Sequence, residues 1–145
     1  MRRSNEIFFH HIRYTKGGKV FDPTNYSEDY LKFVRSTLDP HKGVTIAFTL
    51  KDEKQNGMDV VVAAYARCHS GSATIKPTLF NKREGRNEAL SRLNSFDDTV
   101  LERISLILTP AVEHWSVEEL TLNVQHAVIR TISQQARQPR KGALK

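Results

Sequence analysis

The chain has one cysteine, Cys68, in 145 residues. A lone thiol excludes an intrachain disulfide and fits a reducing, cytoplasmic compartment. With no companion cysteines, Cys68-His69 does not make a thiolate zinc site. Long apolar runs are equally scarce. The longest is Val60 to Ala66, far short of the roughly twenty residues that a membrane-spanning helix needs, so no membrane partner is expected. Met1-Arg2-Arg3-Ser4-Asn5-Glu6 is basic but has no apolar stretch behind it, which argues against a secretory signal. Glycine-rich phosphate loops and dinucleotide fingerprints are missing too. No Ser/His/Asp or Cys/His order stands out, and no acidic pair recurs on a helix face; Glu118-Glu119 suit a helix cap. His10 and His11 are adjacent in a strand-like run, so they point to opposite faces and cannot share a metal ion. The expectation is a protein without catalytic residues, metal ligands or cofactor.

What is present describes one ordinary domain. Hydrophobic residues make up 39% and charged residues 26%, as in soluble globular chains. At this length roughly two-thirds of the unfolded surface can be buried. The net charge is +6, and the last nine residues, with Arg137, Arg140, Lys141 and Lys145 and no acid, carry +4 of it. The body is nearly balanced, and the tail reads either as a solvated end or as a nucleic-acid anchor.

Ile7 to Tyr14 is aromatic and β-branched, as a strand should be. Its aromatics Phe8, Phe9 and Tyr14, with Arg13 and Lys16 nearby, could stack on bases, although such a strand more often serves a core. Tyr26, Tyr30, Phe33, Val34 and Leu38 have helical spacing, with Pro40 and Gly43 ending that helix. Val44, Ile46, Phe48 and Leu50 alternate with Thr45, Ala47 and Thr49. Asn56-Gly57 is a favoured two-residue turn, and Met58 to Cys68 returns as a strand apolar on both faces, hence central and covered on each side. His69 to Thr78 reads as a loop. A helix is predicted over about Asn81 to Leu93, and a second, short one between Asp97 and Pro110. Ser116 and Glu119 form a capping box for a long last helix, about residues 116–136. Its apolar positions form two stripes, one through Val117, Leu120, Val124, Ala127 and Val128, the other through Leu122, Ile129, Ile132 and Ala136. The second implies either deep burial or an oligomer contact. The expected fold is α+β: one domain over residues 1–136 with a small antiparallel sheet packed by helices and a long C-terminal helix, then a basic tail at 137–145.

The segment richest in chemistry runs from Phe80 to Leu93. At 100° per residue Lys82, Arg86, Ala89 and Leu93 share one stripe, cationic at its start and apolar at its end. The apolar half must face the core, so the two cations emerge at its edge. Gly85 leaves bare backbone beside them, and the helix N-terminus adds partial positive charge. Two readings stand: an anion cradle, or long cations snorkelling or paired with an internal carboxylate. The candidate ligand-binding residues are Phe80, Asn81, Lys82, Arg83, Arg86 and Arg92.

From Val44 to Leu93 the order of features resembles small proteins of tailed bacteriophages. A strand is followed by Ala64-Tyr65-Ala66-Arg67-Cys68, a loop, and a helix start carrying Phe80, Lys82, Gly85, Arg86, Ala89, Arg92 and Leu93. In size and basic-helix style the chain is similar to the Thoeris anti-defence sponges. That likeness implies an oligomer in the cytoplasm of an infected bacterial host. Such a protein would bind a small phosphorylated ligand, a cyclic nucleotide immune signal of cyclic ADP-ribose or cyclic oligonucleotide type, without cleaving it. Lys82 and Arg86 would then hold phosphate and Phe80 would stack on a base; Lys in the first position forgoes the bidentate grip of Arg. Two rival expectations are a nucleic-acid binder using the basic helix and tail, and an inhibitor of a host defence enzyme by direct protein contact.

Overall fold

A computed structural model describes residues 6–21, 38–68, 79–95, 102–108 and 115–137. Four strands, β1 (Ile7–Thr15), β2 (Leu38–Leu50), β3 (Asp59–Arg67) and β4 (Arg103–Leu108), form one antiparallel sheet in sequence order. Helix α1 (Lys82–Leu93) falls between β3 and β4, and α2 (Val117–Arg137) follows β4. The α+β expectation holds.

The alternation of β2 and β3 sorts side chains by size. Val44, Ile46, Phe48, Leu50, Val61 and Tyr65 point to one face, where they pack with Leu120, Val124 and Val128 of α2. Ala47, Val62, Ala64 and Ala66 point to the other, against Ala89 and Leu93 of α1. The helices thus cover opposite faces of the sheet. Large side chains hold α2 off, and a carpet of alanines lets α1 settle close. Burying each of the large residues contributes about 1.5–3 kcal/mol, so most of the core energy lies on the α2 side.

The hairpin forms as expected. Asn56 and Gly57 both have positive φ, 53° and 79°, the left-handed pair that a two-residue turn matched to strand twist requires. Gln55 and Met58 close it with two backbone bonds, 2.9 and 3.0 Å. Val60 to Ala66 of β3 is buried throughout, as a strand covered on both faces must be. Ser116 Oγ accepts from Glu119 N at 3.1 Å, capping α2.

Three expectations change. The short helix placed between Asp97 and Pro110 is in its described part strand β4: Ile104 and Leu106 pair with Ala63 and Val61 and join the α2-side core. A six-residue run with apolar residues at 104, 106, 107 and 108 satisfies either period, and the open edge of β3 decides. Second, Leu38 is not the end of a helix but the first residue of β2, paired with Thr15, and β2 runs through Pro40 and Gly43. Proline is tolerated because β3 does not extend that far; the carbonyls there accept instead from Phe80 N (Pro40 O, 2.7 Å) and Cys68 N (Gly43 O, 2.9 Å). Third, the second stripe of α2 is divided: Ile129 and Ile132 pack against the core, while Leu122 is 50% exposed. The rest of the expected first helix, the 69–78 loop and the tail beyond Arg137 lie outside the described residues.

Candidate functional site

The register of β1 on β2 sets His11 opposite Thr45 and Arg13 opposite Gly43, both on the α1 side of the sheet. Phe80, tied to Pro40 by its backbone N–H, lays its ring against Gly43; a Cβ there would meet Phe80 Cδ2 at 2.2 Å. The Arg13 guanidinium carbon sits 4.4 Å from the centre of that ring, and Arg13 Nη2 donates to Asp39 O at 3.5 Å. Arg13 Nε is buried with no hydrogen-bond partner. The His11 ring meets the edge of Phe80 at 5.8 Å between centroids, and its Nδ1 lies 2.9 Å from Thr45 Oγ1. His10, on the opposite face, donates from Nε2 to Gln125 Oε1 of α2.

Helix α1 completes the cluster. Asn81 is its N-cap, its side chain accepting from Glu84 N at 3.1 Å. The predicted stripe behaves as drawn: Ala89 and Leu93 are buried, and Lys82 and Arg86 are exposed beyond them. Their charges reach His11. Its pKa is pushed down to about 4 by burial first, then by the positive charges of Lys82 and Arg86, then by His10 and Arg13. Among the described residues no carboxylate forms an ion pair with Arg13, Lys82 or Arg86. Three cations thus act on an imidazole kept neutral at the border between β1 and α1, a place that favours an anion from outside.

The six sequence-predicted residues do not form one constellation. Lys82 and Arg86 face β1. Asn81 is spent on the cap, and Arg83 is exposed. Phe80 already has the Arg13 guanidinium over one face of its ring. Arg92 points to the far flank of α1, where Nη1 donates to Tyr65 O at 2.7 Å. That flank holds a cleft of about 570 Å³ whose walls include Phe80, Asn81, Glu84, Glu88 and Arg92. Glu84 and Glu88 are balanced on its walls by Arg67 and Arg92, and neither Lys82 nor Arg86 lines it. Gly85 also borders this cleft, but the space a side chain would take there is not empty. Thr45 fills it: a Cβ on Gly85 would lie 2.3 Å from Thr45 Oγ1.

His11 and Thr45 are the members that sequence reasoning missed, and Arg13 was named only beside the strand aromatics, apart from Lys82 and Arg86. The signal was there, since Phe9, His11 and Arg13 alternate on one face of β1. Nothing in the sequence says which strand β1 joins or that α1 lies beside it. Among the described residues no group of three or more His, Cys, Asp and Glu is placed to hold a metal ion, and no helix is long and apolar enough to cross a membrane. No family model, curated protein or solved structure matches the chain.

Proposed function

We propose that this protein captures a small phosphorylated ligand without turning it over, and that the ligand is a cyclic nucleotide immune signal sequestered on behalf of a phage in an infected bacterium. The observation that carries the phosphate part is the convergence of Arg13, Lys82 and Arg86 on a neutral His11 with no acid paired to any of them among the described residues. The phage part rests on the resemblance of Val44 to Leu93 to small proteins of tailed bacteriophages, and the nucleotide part on the likeness in size and basic-helix style to the Thoeris anti-defence sponges.

Each group has a distinct task. Arg86 offers a planar fork for two phosphate oxygens, and Lys82 a point charge on a flexible stem. Arg13 is held in place by the Phe80 ring and Asp39 O, so little freedom is lost when it binds. The first turn of α1 adds backbone N–H groups that no helix carbonyl can satisfy. His11 is held neutral in the free protein, so it adds no charge to the repulsion among the cations, and an arriving anion raises its pKa. Capture requires nothing more than this complementarity.

Arg86→Ala removes the fork from an exposed position and leaves the core intact. Titration calorimetry against cyclic ADP-ribose isomers and cyclic dinucleotides is expected to show binding by the wild type and none by Arg86→Ala, at unchanged thermal midpoint. Equal affinity of the two proteins refutes the assignment.

A further inference from the structure

Helix α1 lies over β2 and β3, and the same face of β1 is left largely open beside it. On that face Ile7 is 39% and Phe9 40% exposed, followed by His11 and Arg13. We propose that this face is a nucleobase platform, with Phe9 the ring on which the base of the captured nucleotide stacks and His11, Lys82 and Arg86 at the phosphate end. The proposal rests on the phosphate reading above and adds to it the aromatic half of the ligand and the residue that selects it.

Three observations carry it. An exposed phenylalanine stands one alternation from the imidazole of the cation cluster, about 7 Å along the strand, which leaves room for a sugar between a phosphate at His11 and a base on Phe9. One face of Phe80, the aromatic nearest the cations in sequence, is already taken by Arg13, and the rest of it borders the cleft on the other flank of α1. Beyond Phe9 the surface runs into a hollow of about 180 Å³ lined by Ile7, Thr49, Lys51, Leu93, Asn94 and Arg103, among others. Its walls are polar where a base edge would reach. Thr49 has a buried hydroxyl with no hydrogen-bond partner, Asn94 is exposed at the end of α1, and Arg103 uses Nε on Leu93 O at 3.2 Å. The open face thus carries cations at both ends, Arg86 and Lys82 at one and Lys51 and Arg103 at the other, with an exposed ring between them and the Thr49 and Asn94 side chains as hydrogen-bonding groups in the hollow. That order suits a nucleotide and is wasted on inorganic phosphate.

The test compares two probes, cyclic ADP-ribose and pyrophosphate, on the full chain and on Phe9→Leu, Phe9→Tyr and Arg86→Ala. Phe9→Leu keeps an apolar side chain at a partly exposed strand position, so the fold survives; Phe9→Tyr keeps the ring. Loss of base stacking is expected to weaken cyclic ADP-ribose by roughly tenfold or more in Phe9→Leu, with pyrophosphate affinity within about twofold of wild type. Phe9→Tyr should bind both probes like the wild type, and Arg86→Ala should lose both. If Phe9→Leu leaves cyclic ADP-ribose affinity unchanged, or weakens both probes alike, the platform is wrong while the phosphate site stands. A wild type that binds neither probe overturns both.

Discussion

A methyl group on Gly85 would lie 2.3 Å from Thr45 Oγ1 and 2.9 Å from Thr45 Cβ, closer than real side chains come. Gly85→Ala gains about 1 kcal/mol in helix propensity but must push α1 off the sheet, an overpacking cost of about 1–3 kcal/mol. The expected outcome of a urea melt is net destabilisation, partly restored when Thr45→Ala is added. His11 makes a prediction of another kind. Its folded pKa, about 4, lies below the ordinary 6.5, so between those values the unfolded chain binds the extra proton. Stability therefore rises with pH across that window and falls as pH drops through it. The residue is only half-buried, so solvent screening makes the slope shallower than the full shift would give. Thermal midpoints between pH 4 and 7 should flatten in His11→Asn, and an unchanged slope would contradict the environment assigned to His11. At this scale Lys82 and Arg86 could be placed from the sequence, because a helical stripe is a local property. The roles of Gly85 and Phe80 could not, because Thr45, Gly43 and Arg13 reach them only through pairing across the sheet.

Elements were legible where the signal was local. The Asn56-Gly57 turn, the two-faced apolar run of β3 and the Ser116 cap all follow from short stretches of chain. Strand β4 did not, since Arg103–Leu108 is too short for its period to be read and takes its conformation from β3. The start of β2 was hidden in the same way: Pro40 signals a break, yet the strand continues because Phe80 supplies the missing neighbour. The cap allows a direct check. Ser116→Ala removes the acceptor for Glu119 N and should cost about 1 kcal/mol, read as a lower denaturant midpoint with unchanged slope. No change in midpoint would mean that the first turn of α2 is held by its packing alone.

Across the whole molecule the sheet separates two tasks. The α2 face, built from Phe48, Ile46, Tyr65 and Val124, supplies most of the burial; the α1 face, built from small residues, brings a basic helix alongside β1 and gathers its charge. The net charge of +6 is therefore less telling than its distribution. If Arg13, Lys82 and Arg86 form the site, removing residues 138–145, which takes away Arg140, Lys141 and Lys145, should leave cyclic ADP-ribose affinity within about twofold. A nucleic-acid binder would instead lose DNA affinity with the tail and show a steep dependence on salt; gel shifts at two salt concentrations separate the cases.

The most direct test is a pH titration of the His11 ring by nuclear magnetic resonance, with and without saturating cyclic ADP-ribose. A midpoint near 4 is expected in the free protein, and an upward shift once an anion neutralises the surrounding cations, held short of the ordinary histidine value by burial, the larger cause. A midpoint that does not move when the ligand is bound would place the phosphate elsewhere and contradict the site described here.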